Sequence, residues 1–286
     1  MKKLTLEQVI NKVEDIPALP SVVSEIMALT EDPDSTPQDI EKVVLRDQSL
    51  TARVLRLANS AYYGFPRRIS TISEATILLG FRAIRSITLS AAVSNVLVRE
   101  LPGYKMAKGE LWRHSQTCAI TARHIARKFN IGNSEEIYVA GLLHDIGKVI
   151  MSHYIEDDYI EVVNKVISEN ITFLDAEEEI LGFNHAQVGY RIAEKWNLPP
   201  DLVEAIAYHH SPEDATLDPH MTCITHIADV ITMMMGIGLG VDGMAYSISD
   251  YAIDVLDIDT DIDSIIAEVS DIIADESSFS RDDLHF

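Results

Sequence analysis

Seven side chains of ligand type recur along this chain in a fixed order. They are His114, His144-Asp145 within LLHDIGK, His185 within GFNHAQVG, the pair His209-His210, and Asp229 within HIADV. Imidazole and carboxylate are the usual donors to first-row divalent metals. Four such groups suffice for one ion; seven, with one carboxylate placed to bridge, suffice for two. A pair of neighbouring ions lowers the pKa of water and clamps a phosphate. The chemistry in prospect is therefore metal-assisted phosphoester hydrolysis, or a metal centre kept for structure or sensing.

Spacing sharpens this reading. His144 and Asp145 are adjacent, and on a helix they would diverge by about 100°. A helix end lets both turn toward one ion, and Gly147 fits such an end or a close approach. Lys148 stands three residues past Asp145, where it could meet a bound anion. His209-His210 repeats the adjacent arrangement just before Ser211-Pro212. Glu110 and His114 are four apart and share a helix face. Asp229 lies on an amphipathic stretch between Ile227 and Val230. The remaining histidines read differently: His124, His153, His220 and His285 as surface or hydrogen-bonded residues, and His226, one turn before Asp229, as a core residue rather than a ligand partner. The seven stand apart because order, pairing and carboxylate placement agree jointly.

The elements that position these groups are helices. Leu4, Val9, Ile10 and Val13 form one apolar stripe, and Leu50, Val54, Leu57 and Ala58 another. Ser21 reads as the N-cap of a helix in SVVSEIMAL, Ser35-Thr36-Pro37 as the start of a second, and Ser49 as the cap of a third that Gly64 and Pro66 follow. A fourth is stopped by Gly80, and a long apolar one runs from Arg82 to Val98. Past the break LPGYKMAKGE the pattern predicts helices at 110–130, 134–150, 155–169, 176–181, 185–196, 200–209, 220–235, 247–256 and 261–275. Alternating β-branched runs are absent, so the expected class is all-α, a multi-helical bundle with an N-terminal helical subdomain. The expected divisions are residues 1–103, 104–240 with the ligand set, and an acidic helical extension at 241–286.

Composition narrows the function classes. The net charge is −22, split as +5 over residues 1–130 and −27 over the rest. So acidic a second half would repel phosphate backbones and argues against nucleic-acid wrapping. Two cysteines, Cys118 and Cys223, make no disulfide framework, and a reducing cytoplasm is the expected location. The most apolar stretch, ITMMMGIGLGV (231–241), falls short of the roughly 18 residues that span a bilayer. MKKLTLEQVI lacks the apolar region of a signal peptide.

HDIGK resembles the signature of the HD superfamily of metal-dependent phosphohydrolases, whose H…HD…D pattern is met by His114, His144-Asp145 and Asp229. IPALPSVVSEIMAL, DIEKVVLRDQSLTARVLRLANSAYYG, ISTISEATILLGFRAIRSITLS, LLHDIGK, EEEILGFNHAQVGYRIAEKWNLP and AIAYHH more specifically resemble the HDOD domain, a bacterial signalling relative, over about residues 5–235. That resemblance implies an interaction or output module working with a signalling protein partner. Many HDOD domains lack the metal ligands, and this chain keeps a full set. His185, His209 and His210 match positions that supply further ligands in HD-GYP domains, which hydrolyse cyclic di-GMP, and Glu110 matches a carboxylate that some of those use. SPEDATLDPH stands where they carry an acidic residue and a GYP loop, which argues against that particular substrate.

Two readings follow. The first is a signalling HDOD protein with a retained, binuclear His/Asp centre holding divalent ions, iron or manganese before zinc. The second is a phosphohydrolase for a nucleotide or cyclic dinucleotide. In it Asp145 bridges, His114, His144 and Asp229 complete one site, His185, His209 and His210 the other, and Lys148 neutralises phosphate charge. Lys148 is the sole Lys or Arg between Lys128 and Lys165, few cations for a phosphate clamp, which favours the first. The N-terminal block carries Asp47, Arg53, Arg56 and Asn59, and its Tyr62-Tyr63 and Arg67-Arg68 offer a partner surface, against the plainer reading that the polar residues cap and solvate helices around a core of Leu50, Val54, Leu57 and Ala58.

Overall fold

The computed structural model describes residues 6–7, 19, 21–60, 63–238, 247–258 and 262–280, apart from the side chains of 153–157, 159 and 275–280. The stripe Leu4, Val9, Ile10 and Val13, together with Tyr62, the side chain of His153 and His285, lies outside them. Among the described residues there are fourteen α-helices and no strand, the all-α class that the periodicity predicts. The chain divides into two compact units, one of residues 18–95 and 263–286, the other of 1–17 and 96–262.

The first unit contains α1 (Ser21–Glu31), α2 (Pro37–Val44), α3 (Gln48–Ala58), α4 (Ile72–Leu79) and most of α5 (Phe81–Leu97). Its core joins Ile26, Ile40, Val43, Val44, Leu50, Val54, Ile72 and Ile84, the apolar faces of consecutive short helices. Thr36 caps α2 in a reciprocal box with Asp39, with Pro37 behind it as expected. The cap of α3 is Asp47, which accepts the Leu50 N–H, rather than Ser49. A carboxylate placed one residue before the helix satisfies the orphan donors better than a hydroxyl already inside its first turn. Asn59 ties the end of α3 to Ile69 through both the N–H and the carbonyl of that residue. In Asp47 and Asn59 the plainer reading of the N-terminal polar residues prevails.

The second unit is built from α6 (Glu110–Lys128), α7 (Ser134–Leu143), α8 (Lys148–Glu169), α9 (Phe173–Leu181), α10 (His185–Lys195), α11 (Pro200–Tyr208), α12 (Pro219–Met234) and α13 (Asp250–Leu256); α14 (Ile262–Ser280) follows. The expected helices 134–150 and 155–169 divide elsewhere: α7 stops at Leu143, and α8 runs unbroken from Lys148 to Glu169. The break falls at His144–Gly147, where the backbone tightens into i→i+3 bonds such as Ile146 N–H to Leu143 O and Lys148 N–H to Asp145 O. Nothing between 150 and 155 interrupts the helical ladder. Cys118 and Cys223 are buried thiols. No described helix is long and apolar enough to cross a membrane.

Glu204 on α11 secures the segment leading to α12. Its carboxylate accepts the N–H groups of Thr216, Leu217 and Asp218 and the Thr216 hydroxyl. Burial would raise its pKa, but these donors outweigh burial and lower it. A folded-state pKa below the unfolded one stabilises at pH values above the unfolded value, and that contribution fades as pH falls through the folded value. Glu204→Gln is therefore expected to cost about 2 kcal/mol at pH 7, the scale of hydrogen bonds to a charged acceptor, and much less near pH 3. Urea unfolding of both proteins across that range checks it; a pH-independent difference would assign the loss to packing.

Candidate metal centre

The helical framework brings the seven sequence-selected residues into one buried cluster drawn from five segments. His114 comes from α6, and α7 packs so closely on α6 that a Cβ on Gly141 would lie 3.0 Å from Ala119 Cα. His144 and Asp145 occupy the turn between α7 and α8, so the helix end turns both inward. His185 is the first residue of α10, His209 and His210 follow the last turn of α11, and Asp229 lies on α12. His144, Asp145, His185 and His209 are wholly buried, and His114 and Asp229 nearly so.

Two groups of donor atoms form within this cluster, His114–His144–Asp229 and Asp145–His185–His209–His210, each with its atoms within 4.8 Å of one another. Asp145 connects them. Its Oδ2 lies 3.5 Å from His114 Nε2 and 3.3 Å from His144 Nε2. Its Oδ1 lies 3.5 Å from His185 Nε2 and 3.8 Å from His209 Nε2. Asp229 Oδ1 stands 3.0 Å from His114 Nε2 and 3.4 Å from His144 Nε2. One carboxylate thus presents one oxygen to each group.

Backbone carbonyls set the tautomers. His144 Nδ1 lies 2.8 Å from Gly141 O, His209 Nδ1 2.8 Å from Ile206 O, and His114 Nδ1 3.1 Å from Ile237 O. A carbonyl only accepts, so each Nδ1 carries a proton and each Nε2 faces the cluster. Buried polar atoms almost always have hydrogen-bond partners. Yet His144 Nε2, Asp145 Oδ1 and His209 Nε2 are buried without one, all three facing the same place. This convergence of orphaned donor atoms fits divalent cations.

Electrostatics agrees. Burial would depress the His144 pKa, but the Asp145 and Asp229 carboxylates outweigh it and hold the imidazole well above its ordinary value. Burial would raise both carboxylates, and the positive field, from His144 above all, holds each well below the usual range. His209 is pushed down to about 3, by burial first and then by His144, and His210 also falls well below its ordinary value. The carboxylates and the His209 and His210 imidazoles are thus in their ligating forms, whereas His144 would release a proton on binding a metal.

Other residues take other places. Lys148 has its ammonium 2.5 Å from Asp145 Oδ2 and is nearly buried. Glu110 accepts the Ala107 N–H at the start of α6. His226, read as a core residue, is buried, but it also supports the cluster: its Nδ1 meets the His209 carbonyl at 2.7 Å while its Nε2 accepts the Ser249 N–H. Glu177 and Tyr104, absent from the sequence-derived set, stand behind His185. Glu177 Oε2 accepts the His185 backbone N–H and lies 2.7 Å from its Nδ1, and Oε1 accepts the Tyr104 hydroxyl. The only sequence signal for Glu177 was its place in the acidic run EEE, which resembles a solvated face.

A strand-free bundle that gathers these ligands in this order is of the HD class. The chain belongs to the HDOD domain family, matched over residues 16–212; Asp229 lies beyond the matched stretch. An HDOD domain protein of unknown function from Geobacter sulfurreducens has the same fold, with 29% identity, a TM-score of 0.78 and coverage of 96% of both chains. A Shewanella amazonensis SB2B protein, provisionally described as a phosphohydrolase, shares the fold at 22% identity and TM-score 0.70, covering 94% of this chain and 95% of its own. An uncharacterized protein of Treponema pallidum (strain Nichols) is 28% identical over 201 residues, 70% of this chain; the chain spans 39% of that curated relative's length.

Proposed function

We propose that this protein is a signal-transduction HDOD module built around a binuclear His/Asp metal centre, acting through a protein partner in the cytoplasm. The observation that carries the metal part is Asp145, whose two oxygens face two separate ligand groups in a pocket of unpartnered donor atoms. His114, His144 and Asp229 would hold one divalent ion and His185, His209 and His210 the other, with Asp145 shared. Nitrogen and oxygen donors without a thiolate favour iron or manganese, with zinc next. The signalling part rests on family membership and on the place of Lys148. The Lys148 ammonium is engaged by Asp145, which leaves its charge less available to a phosphate.

A phosphohydrolase acting on a nucleotide or cyclic dinucleotide is the second reading. It is favoured by His210, which is only half-buried and so lets solvent reach one side of an otherwise closed cluster. When bound, the ions would supply an activated water and a clamp on phosphate oxygens.

Elemental analysis of the purified, tag-free protein tests the centre, followed by incubation with nucleotides and cyclic dinucleotides. The expected result is two equivalents of metal per chain without turnover. Metal with turnover would decide for the hydrolase, and absence of metal even after anaerobic reconstitution with iron or manganese would remove both readings.

A further inference from the structure

The histidines of the cluster are not held alike. His114, His144 and His209 each rest on a neutral backbone carbonyl. His185 rests on a carboxylate, Glu177, which takes both its backbone N–H at 2.9 Å and its Nδ1–H at 2.7 Å on the same oxygen. The other oxygen takes the Tyr104 hydroxyl. Glu177 and Tyr104 are wholly buried. A charged side chain is almost never fully buried unless something pairs with it. The partners that surround Glu177 here are neutral donors, all placed so as to fix His185.

The chain goes to some length to deliver the hydroxyl. Tyr104 ends a single 3-10 turn, Pro102–Tyr104, inside a loop closed by the reciprocal Leu101–Met106 backbone bonds. Gly103 presses this loop onto α8: its N–H donates to Ser152 Oγ at 3.1 Å, and a Cβ there would lie 2.3 Å from Ser152 O. Phe173, at the start of α9, packs on the Tyr104 ring at 5.7 Å between centroids. The Tyr104 ring in turn meets the His185 ring edge-on at 6.5 Å. Loop, α8 and α9 therefore hold the Tyr104 hydroxyl, the Glu177 carboxylate and His185 Nδ1 in one hydrogen-bonded chain.

We infer that Tyr104 and Glu177 are positioning residues that set metal retention in the His185–His209–His210 half of the centre and leave the His114–His144–Asp229 half unaffected. This inference rests on the metal centre proposed above. A carboxylate behind a ligating imidazole fixes the tautomer and raises the donor strength of the far nitrogen. Glu177 does this for His185 Nε2, which points at Asp145 Oδ1 and His210 Nε2. The Tyr104 donor holds the carboxylate in the orientation that leaves Oε2 to the histidine. Across Asp145 the order is reversed: Lys148 binds Oδ2, the oxygen turned to the other half, and draws charge from it. The two halves are thus chemically unequal, and the second depends on residues that touch no metal.

The test uses the full chain with Glu177→Gln, Tyr104→Phe and, as a packing control in the core of the first unit, Leu50→Ala, each loaded with manganese(II) and titrated against a chelator. Glu177→Gln keeps the shape and an acceptor but removes the charge, and it is expected to weaken one of the two equivalents by about 10- to 100-fold while the other is retained. Tyr104→Phe is expected to weaken the same equivalent by about tenfold, the lower end of that range. Leu50→Ala lowers thermal stability and leaves both equivalents in place. Nitrogen-15 NMR of the metal-free proteins gives a readout that packing alone would not move: His185 is an Nδ1–H tautomer in the wild type and a tautomeric mixture in Glu177→Gln. Two equivalents of unchanged affinity and an unchanged tautomer in Glu177→Gln would overturn the inference and leave the metal centre standing. A wild type that takes up no manganese would overturn the metal centre and this inference with it. Should Glu177→Gln fail to fold, Tyr104→Phe decides on the same two readouts.

Discussion

Asp145→Ala is expected to abolish metal uptake in both halves of the centre, the largest functional effect of any single replacement. Its two oxygens address His114 and His144 on one side and His185 and His209 on the other, so each ligand group loses a donor and the bridge at once. The variant also leaves the nearly buried Lys148 ammonium without its carboxylate, which costs about 3–5 kcal/mol for a broken buried pair. Metal loss through misfolding must therefore be separated from metal loss through missing ligands. Asp145→Ala combined with Lys148→Met removes both members of this ion pair. That double variant is expected to fold, by circular dichroism and a cooperative melt, and to contain no metal; His144→Ala with Asp145→Ala is likewise expected to be metal-free. Full stoichiometry in either double variant would refute the site.

Gly147→Ala is expected to be the most destabilising conservative change in the chain. The position has an ordinary φ of −62°, so the backbone itself accepts alanine. Space does not: a Cβ would lie 1.9 Å from the His185 carbonyl and 2.7 Å from Gly189 N. Both obstacles are backbone atoms of α10 and cannot rotate aside. The added methyl must push α10 away from the His144–Gly147 turn, carrying His185 out of reach of Asp145. A loss of about 4 kcal/mol or more is expected, with less than one equivalent of metal in whatever folds. An unfolding free energy from urea titration within about 1 kcal/mol of wild type would mean that the turn and α10 separate freely.

The ligand set was legible because each member sits in a local pattern. Adjacent pairs at helix ends need no knowledge of the fold, and the all-α class follows from apolar periodicity. The supports were not legible, because their meaning is tertiary. Glu177 is one of three consecutive glutamates, and only the return of α10 against α9 separates it from its exposed neighbour Glu179. Tyr104 lies in a Pro-Gly segment that reads as a break between subdomains, and its burial depends on the contact of Gly103 with α8. His226 carries no signal beyond its distance from Asp229, since its partners are a carbonyl 17 residues earlier and an N–H 23 residues later. The boundary between α7 and α8 was misplaced for a related reason. Apolar periodicity continues through LLHDIGKVI, and the break there goes with the close approach of Gly147 to the backbone of α10.

The ligands span residues 114 to 229 and come from five segments of the chain. An ion shared among them acts as a topological tie, closing loops of chain much as a cross-link does. Unfolding of any one of these segments would then require a ligand to leave, so bound metal would lengthen the lifetime of the native state against proteases as well as shift its equilibrium. In a cell, the abundance of such a module would follow the supply of its metal, and scarcity would be felt as turnover of the protein.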